Sequence, residues 1–322
     1  MTLETILKAL ADPTRLRIMR LLAAMELAVG ELAQVLGQSQ PRVSRHVGIL
    51  CDAGLAERRR EGSWVFLHAP GTVESLTPLA AAVAGLLATA EREDEGFARQ
   101  CLEDRRKLSA IRAAREASAQ AWFERNAGEW DELRRMHSPD LMVEQALVEA
   151  LGDAPLGQLL DIGTGTGRMA ELFAERAERV VALDKSLEML KLARAKLQNL
   201  SAAKIELVQG DFADLPFAEA QFDTVLLHQV LHFAQHPEVA LQEAARVTRA
   251  GGRIAIVDFA AHGREELRER HAHARLGFDD SQIRQMLRQA GYSASAPVAL
   301  EGGELVVKIW LGQRRGTPAA AN

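Results

Sequence analysis

The sequence predicts a two-domain chain: a small α+β domain, a helical linker and a larger Rossmann-like α/β domain. Its 322 residues are more than one ordinary domain needs. Residues 1–75 hold short helical patterns that end in a hairpin, whereas residues 121–312 alternate strand-like and helix-like segments, the pattern of a parallel sheet. Residues 76–120 between them are typical of one long helix or two, and residues 313–322 of a flexible tail.

The charge distribution favours a nucleic-acid partner for the first domain only. The whole chain carries a net charge of −5, but residues 1–75 hold nine Lys and Arg against eight Asp and Glu. Five arginines fall between Arg42 and Arg60, against two acidic residues, and such a local basic patch can bind phosphate even on an acidic protein.

Cysteine usage and hydropathy predict a cytoplasmic protein without a membrane partner. Cys51 and Cys101 are the two cysteines, which argues against a disulfide scaffold. The segment Met1–Leu10 lacks the basic start and apolar stretch of a signal peptide. The apolar run Leu79–Ala90 is too short to cross a bilayer.

Four helical patterns predict a helix-turn-helix at the start of the chain. In the fourth pattern Val43, Val47 and Leu50 form an inward face, with Ser39 as the N-cap. The other positions carry hydrogen-bonding side chains suited to base edges and phosphates: Gln40, Arg42, Ser44, Arg45 and His46. The predicted helices are Leu3–Leu10, Arg15–Met25 after a break at Asp12-Pro13-Thr14, Val29–Leu36 ended by Gly37, and Gln40–Cys51.

A hairpin follows and completes a winged helix-turn-helix. Leu55–Arg60 and Trp64–His68 alternate like strands across the turn at Glu61-Gly62-Ser63. Arg58, Arg59 and Arg60 are then expected beside the DNA backbone. An arginine run alone is also typical of a solvated charged surface.

The amino-acid sequence of this region resembles the ArsR/SmtB family of winged-helix repressors. The matching segments are KALADPTRLRIMRLL (8–22) and the stretch from GELAQVLGQSQPRVSRHVGILCDAGLAE to GSWVFLH (30–68). The resemblance implies a homodimer whose helix Gln40–Cys51 enters the major groove of a double-stranded operator. Many family members sense metal through a cysteine where this chain has Ala28, and Leu76–Ala90 has no histidine, so metal sensing is not expected.

The linker begins with a helix-start signal, Thr77-Pro78. Two interpretations stay open: a solvated helix packed on its own domain, or a dimerisation helix that sets the spacing of two DNA half-sites. The second rests on apolar residues close to a coiled-coil seam: Val83, Leu86, Ala90, Phe97, Cys101, Leu108 and Ile111.

A glycine-rich loop indicates a cofactor site in the second domain. An apolar strand from Gln158 leads through Asp161 to Gly163-Thr164-Gly165-Thr166-Gly167, where a helix starts. A dinucleotide site requires a third glycine at the position held by Arg168. A carboxylate at Asp161 would repel a pyrophosphate but suits the ammonium of a methionine group, which favours S-adenosylmethionine (SAM).

Acidic residues at the next strand ends agree with a SAM site. Asp184 is placed to bind both ribose hydroxyls, with Lys185 beside it. Asp211 can accept from the adenine amino group and Phe212 can stack nearby. After the strand that begins at Gln158, the predicted strands are Arg179–Leu183, Lys204–Val208, Phe222–Leu227 and Arg253–Asp258.

This half of the chain resembles the class I SAM-dependent methyltransferases, in particular the group that includes ubiquinone and menaquinone methyltransferases. LLDIGTGTGRMAELFA (159–174), VVALDKSLEMLKLAR (180–194) and the segment 208–259 carry the resemblance. It implies a seven-stranded sheet whose last two strands, Ser293–Leu300 and Glu304–Leu311, form a hairpin. It also implies that the Gly163–Gly167 loop holds the methionine end, Asp184 the ribose and Asp211-Phe212 the adenine.

Absent motifs narrow the methyl acceptor. The segment after the fourth strand, Leu227–Leu231, lacks the Asn/Asp-Pro-Pro-aromatic motif of amino-group DNA methyltransferases, and the domain has no cysteine for cytosine or arsenite chemistry. A small-molecule acceptor is therefore expected.

The histidines leave alternatives open. His228 at the end of the fourth strand is either the catalytic residue facing the acceptor or a hydrogen-bonded residue at the lip. His228, His232 and His236 are spaced by four, but a metal site is not expected because His236 precedes Pro237. The segment His271–Phe278 either covers the pocket or is a solvated helix end, and the second is favoured. Trp122, Phe123 and Trp130 form part of a lid or pack on the sheet.

Three functions follow from these motifs. The first is a transcriptional regulator whose methyltransferase-like domain acts on or senses a small molecule, with SAM or S-adenosylhomocysteine (SAH) as ligand. The second is a metabolic methyltransferase whose DNA-binding module localises or autoregulates it. The third, a metal-responsive repressor, is least favoured because the metal ligands are missing.

Overall fold

The computed structural model describes residues 2–24, 27–61, 64–69, 78–126, 140–197, 200 and 204–316. The chain divides into two compact units, Met1–Ser118 and Ala119–Asn322, which places most of the predicted linker in the first unit. In the described part no helix is long and apolar enough to cross a membrane.

The first unit is built from helices and a small antiparallel sheet. The sheet has the order β1-β3-β2, and β2 pairs with β3 from Glu57 opposite His68 to Glu61 opposite Trp64. The wing is therefore confirmed, and a short strand β1 that the sequence did not suggest pairs with it. The elements are α1 Leu3–Leu10, α2 Pro13–Ala24, β1 Leu27–Ala28, α3 Val29–Leu36, α4 Gln40–Asp52, β2 Glu57–Glu61, β3 Trp64–His68, α5 Pro78–Glu93 and α6 Glu95–Asn126, whose last turns belong to the second unit.

Local capping chemistry explains where two of these helices begin. α2 starts at Pro13, two residues before the predicted start, because Asp12 Oδ1 accepts from the backbone N–H of Thr14 at 2.8 Å and of Arg15 at 3.1 Å. Ser39 is the N-cap of α4 as predicted, but its side chain makes no capping hydrogen bond.

The predicted inward face of α4 is confirmed, since Val43, Val47 and Leu50 are fully buried. They pack in the core of the first unit together with Val83, Leu87 and Leu108 of the linker helices. Much of the apolar seam therefore covers this domain's own core. Leu86 of the same seam is 59% exposed. Thr77 lies outside the described residues.

Two sets of ion pairs join α2 to the linker helices. Arg17 donates to Asp104 through Nε at 2.7 Å and Nη2 at 2.6 Å, and Asp104 is 1% exposed. Glu91 accepts from Arg20 on one oxygen and from Arg105 on the other. These pairs fix the linker helices to the helix-turn-helix within the first unit.

The second unit is a mixed, mainly parallel sheet with helices around it. Its order is β10-β11-β8-β7-β4-β5-β6, with β9 also paired to β11. Strands β4 to β8 run parallel, and β11 is antiparallel to β8. The elements are α7 Asp140–Leu151, β4 Gln158–Ile162, α8 Arg168–Phe173, β5 Arg179–Asp184, α9 Leu187–Leu197, β6 Ile205–Gln209, β7 Phe222–His228, α10 Pro237–Val247, β8 Thr248–Phe259, α11 Glu266–His271, α12 Asp280–Gln289, β9 Tyr292–Ala294, β10 Val298–Leu300 and β11 Val307–Arg314.

The predicted parallel strands match those observed to within one residue at most ends. The fifth is longer, because β8 begins at Thr248 and includes the predicted turn at Ala250-Gly251-Gly252. The seven-stranded count is wrong: the predicted strand Ser293–Leu300 is two strands, β9 and β10, that both pair with β11. Pro297 lies in the break, where it has no N–H to donate.

Candidate functional site

The exposed side of α4 carries the polar residues predicted to bind DNA. Gln40, Arg42, Ser44 and Arg45 are all exposed, opposite the buried valines and leucine of the same helix. A 13-residue helix with one apolar and one hydrogen-bonding side can lie against a groove of DNA without losing its own core contacts.

Two other predicted DNA contacts also contact the protein itself. His46 Nδ1 lies 3.6 Å from Asp12 Oδ1, and the His46 side chain is only 14% exposed. Arg58 is exposed, and its guanidinium lies over α4, where it would be 3.4 Å from a Cβ added at Gly48. The backbones of Arg59 and Arg60 form part of β2, but their side chains lie outside the described residues, as does the turn at 62–63.

The glycine-rich loop runs between β4 and α8, at the carboxyl end of the parallel strands. Gly163, Gly165 and Gly167 all have positive φ, at 71°, 55° and 84°. The N–H groups of Gly163 and Thr164 donate to the carbonyl of Leu183 at 2.8 and 2.9 Å, which ties the loop to the neighbouring strand β5. The course of the loop therefore depends on backbone conformations that favour glycine.

Asp161 lies beneath this loop. It is 1% exposed, and its Oδ2 accepts from the Thr164 hydroxyl at 2.5 Å.

Asp184 at the end of β5 is fixed by two backbone donors. Its Oδ2 accepts from Gly165 N–H and its Oδ1 from Ser186 N–H, both at 2.8 Å. Burial raises the pKa of Asp184 against the opposing effect of these donors. A third backbone donor, the N–H of Lys185, also lowers the pKa, and a carboxylate with about four acceptor positions keeps capacity for a hydroxyl donor.

Asp211 and Lys185 come together across the ends of β5 and β6. Lys185 Nζ lies 2.8 Å from Asp211 Oδ2, and Asp211 Oδ1 accepts from Ala213 N–H at 2.9 Å. Phe212 is half-buried and packs against the sheet's core. The loop glycines, Asp161, Asp184, Lys185 and Asp211 therefore all lie at one edge of the sheet, as the sequence predicted.

The residue that replaces the third glycine has its own partner. Arg168 donates to Glu144 of α7 at 2.7 and 2.6 Å and to Glu171 at 2.8 Å. A dinucleotide loop would have a glycine packed there. This contact could not be predicted from the sequence, because Glu144 and Arg168 are 24 positions apart in the chain.

Buried histidines surround the ends of β7 and β8. His228 is 8% exposed at the end of β7, and its role as a catalytic residue stays a prediction. His232 Nδ1 lies 2.8 Å from Asp258 Oδ1, and Asp258 Oδ2 accepts from His232 N–H at 3.1 Å. Asp258 and Arg275 are fully buried. Sequence reasoning missed both, since neither stands in a recognisable motif.

The segment favoured as a solvated helix end is mostly buried instead. His273 is 6% exposed, and Leu276 and Phe278 are inside the core. The side chains of Trp122 and Phe123, and the whole of Trp130, lie outside the described residues. Within the described ranges, no group of three or more His, Cys, Asp or Glu side chains could hold a metal ion.

A groove at the opposite, amino-terminal edge of the sheet is less suited to a ligand. Its arginines are already engaged: Arg249 binds Asp223 at 2.7 Å, and Arg253 donates to the carbonyls of Leu151 and Pro155 at 2.9 Å. The side chains suited to ligand binding therefore lie at the carboxyl ends of the parallel strands.

Comparison with known proteins gives a family match for each of the two domains. Residues 12–58 match the model of the bacterial regulatory proteins of the arsR family, and residues 160–256 match a methyltransferase domain. The chain carries an ArsR-family DNA-binding domain and a methyltransferase domain.

The methyltransferase domain has distant curated relatives. It is 37% identical over 143 residues to the demethylmenaquinone methyltransferase of Thermobifida fusca, covering 44% of this chain and 60% of that one. It is 37% identical over 114 residues to the same enzyme of Renibacterium salmoninarum, covering 35% and 46%. The chain thus spans about half the length of these relatives.

Solved structures support the fold of this domain. A Haloferax volcanii complex between the Trm112 methyltransferase activator and a methyltransferase aligns with a TM-score of 0.50 at 20% identity, covering 60% of this chain and 97% of that one. This likeness concerns the fold alone.

Proposed function

We propose that the protein is a transcriptional regulator that binds an operator through α4 and the wing, and binds SAM at the carboxyl edge of its methyltransferase domain. A small molecule is its methyl acceptor or effector. The observation that carries the proposal is the pairing, in one chain, of an exposed polar α4 with a glycine loop anchored to Asp184.

The residues at the sheet edge fit SAM. The positive-φ glycines set the course of the loop backbone, and Asp161 beneath the loop supplies the charge that suits the methionine ammonium. Asp184 retains acceptor capacity for a ribose hydroxyl, and Asp211 with Phe212 would hold the adenine. When bound, SAM supplies an electrophilic methyl group on a sulfonium sulfur. The chain's part is to orient that group and to exclude water.

Arg168 favours SAM over a dinucleotide. Its guanidinium is held by Glu144 and Glu171, so the side chain fills the position where a dinucleotide loop needs a glycine. The paired carboxylates also cancel the positive charge that would otherwise attract a pyrophosphate.

We propose a homodimer as the DNA-binding form. Leu3 and Leu7 of α1 are 58% and 56% exposed, and Leu86 of α5 is 59% exposed. Exposed leucines on the helices that flank a helix-turn-helix supply apolar area for association, and two copies would present two α4 helices to a two-fold DNA site.

The alternative is a metabolic methyltransferase whose DNA-binding module only localises it. The names of the relatives favour this alternative for the second domain, since both are demethylmenaquinone methyltransferases.

The test measures both ligands on one preparation of the full chain. Titration calorimetry with SAM and with NAD, and selection from random double-stranded DNA, should show SAM binding, no NAD binding and one enriched two-fold sequence. SAM binding without sequence-specific DNA would favour the metabolic alternative. Binding of NAD in preference to SAM would overturn the cofactor assignment.

A further inference from the structure

A segment between β8 and α12 covers the ends of β7 and β8. We call residues 260–278 the covering segment. His262 N–H donates to the Leu276 carbonyl at 3.0 Å and Ala261 N–H to the Phe278 carbonyl at 3.1 Å, so the segment closes on itself. Arg275 N–H donates to the His232 carbonyl at 2.9 Å, which fixes the covering segment over the turn that follows β7.

Asp258 sets the proton positions on His232. Oδ1 of Asp258 accepts from the His232 ring, so the His232 proton lies on Nδ1 and Nε2 is the nitrogen that can accept one. Asp258 also accepts from the N–H groups of His232 and Phe259, at 3.1 and 2.8 Å, so its orientation is fixed from three directions. This is the arrangement by which a carboxylate orients a general base.

His262 carries its proton on the other ring nitrogen. Its Nδ1 accepts from Arg264 N–H at 3.2 Å, so the proton of the neutral ring lies on Nε2. Among the described residues that buried Nε2 has no hydrogen-bond partner. Burial lowers the pKa of His262 to about 4, which keeps the ring neutral at neutral pH. Within the described part of the chain, Nε2 is therefore a buried donor without an acceptor.

The Phe259 ring lies near both histidines, and two further rings lie against His232. The Phe259 ring is 5.1 Å from the His232 ring and 6.2 Å from the His262 ring, measured between centroids. Phe233 lies 4.0 Å from His232, and His273 lies 4.2 Å from it. The Arg275 side chain is also buried here, and its Nη2 donates to the Gln235 carbonyl at 2.7 Å. The surroundings suit a flat aromatic molecule with one polar atom.

The cluster begins next to the glycine loop. Val230, two residues before His232, packs so closely against Gly163 that a methyl group added there would overlap it. The glycine loop, which we propose binds SAM, and the histidine cluster therefore lie next to each other at the carboxyl ends of the parallel strands.

We propose that His232, His262 and Phe259 form the acceptor site for a phenolic hydroxyl group, and that the domain catalyses O-methylation. The phenol O–H gives its proton to His232 Nε2, and the oxygen attacks the SAM methyl carbon. The new C–O bond forms as the C–S bond breaks and its electron pair stays on sulfur, which yields a methyl ether and SAH. His262 Nε2–H donates to the phenol oxygen and orients it. This inference rests on the proposed SAM site.

The acceptor enters by movement of the covering segment, since the His232 side chain is 3% exposed. A metal ion does not explain the cluster, because no group of described residues, these histidines included, could hold one.

The probe is 4-nitrophenol, whose phenolate absorbs visible light. It is added to the full chain saturated with SAH, in buffer below the probe's own pKa. We expect the phenolate band to appear on binding, because His232 takes the proton. With SAM in place of SAH, mass spectrometry should detect 4-nitroanisole.

Three variants separate the roles. His232→Gln should remove the phenolate band and lower 4-nitroanisole formation by about 10²-fold or more. His262→Gln, at a less buried position, should weaken probe binding but retain the band. His271→Gln, on the same covering segment, is the matched control and should change neither. SAH affinity by calorimetry shows that each variant still folds.

The outcomes are distinguishable. A chain that binds SAH but gives no phenolate band, or gives an equal band in His232→Gln, overturns the acceptor site and leaves the proposed function intact. A chain that does not bind SAH overturns the proposed function itself. A methyl group found on a ring carbon of the product would also contradict O-methylation.

Discussion

The backbone N–H of Gly165 donates to Oδ2 of Asp184 at 2.8 Å, which joins the glycine loop to the neighbouring strand end. One contact therefore couples the two parts of the proposed SAM site. Without this contact, the loop backbone would lose its position, and so would the Asp184 carboxylate that we propose binds the ribose.

The first prediction concerns this contact. Gly165→Val places a branched side chain at φ 55°, and Asp184→Ala removes the carboxylate, so both should weaken SAM binding. The loss of charge-assisted hydrogen bonds predicts about 10-fold weaker binding or more for Asp184→Ala. Calorimetry measures it, with the exposed Glu188→Ala as control. Unchanged affinity in Gly165→Val would refute the assignment of the loop.

The second prediction concerns DNA recognition by α4. Arg42→Ala and Arg45→Ala should each relax the sequence preference and cost about 1–3 kcal/mol of operator binding, as for arginines that contact base edges. Arg59→Ala in the wing should weaken all DNA alike and reduce the salt dependence by about one phosphate contact. Anisotropy titrations on selected and scrambled DNA separate the effects. The control is Arg99→Ala, an exposed arginine on α6, and sequence preference retained in both α4 variants would contradict this role.

The third prediction concerns the buried Arg17–Asp104 pair. Asp104→Ala leaves the Arg17 guanidinium without its partner and should lower the free energy of unfolding of the first unit by about 3 kcal/mol. Glu103→Ala, which removes an exposed pair with Lys107, should leave the free energy of unfolding almost unchanged. Urea unfolding followed by circular dichroism measures both. Equal effects would mean that the buried pair does not hold α6 to α2.

The fourth prediction concerns pH. The pKa of His262 falls from 6.5 to about 4 on folding, so between these values the unfolded chain binds a proton that the folded chain does not. Stability should therefore fall as the pH drops from 6.5 towards 4. His262→Gln removes this contribution, so its urea midpoint should change less over that range. An identical pH dependence in both proteins would show that His262 is not held neutral.

Most helices and strands could be predicted from local sequence patterns, because residues close together in the chain determine where they begin, end and bury a face. The spacing of Val43, Val47 and Leu50 gives the buried side of α4, and Gly37 ends α3 in a left-handed conformation, at φ 64°. The order of acidic residues after parallel strands likewise placed Asp161, Asp184 and Asp211 at one edge, since parallel strands end on the same side.

The features that sequence reasoning missed depend on contacts between distant residues. Arg17 and Asp104 are 87 positions apart, and His232 and Asp258 are 26 apart. No period or motif links such pairs before the fold is known. The burial of Arg275 could not be predicted for the same reason. Its backbone N–H donates to the His232 carbonyl and its Nη2 to the Gln235 carbonyl, and both carbonyls lie in the turn after β7.

The final prediction tests whether the two domains act as one regulator. A ligand can shift DNA affinity only if it binds two states of the protein unequally. Operator DNA from the random-site selection is titrated with the full chain alone, with saturating SAM and with saturating SAH, and anisotropy gives the three dissociation constants. The account predicts that at least one ligand changes operator affinity by roughly 5- to 150-fold. Equal dissociation constants in all three titrations, with calorimetry showing both ligands bound, would contradict it and leave a methyltransferase that is only tethered to DNA.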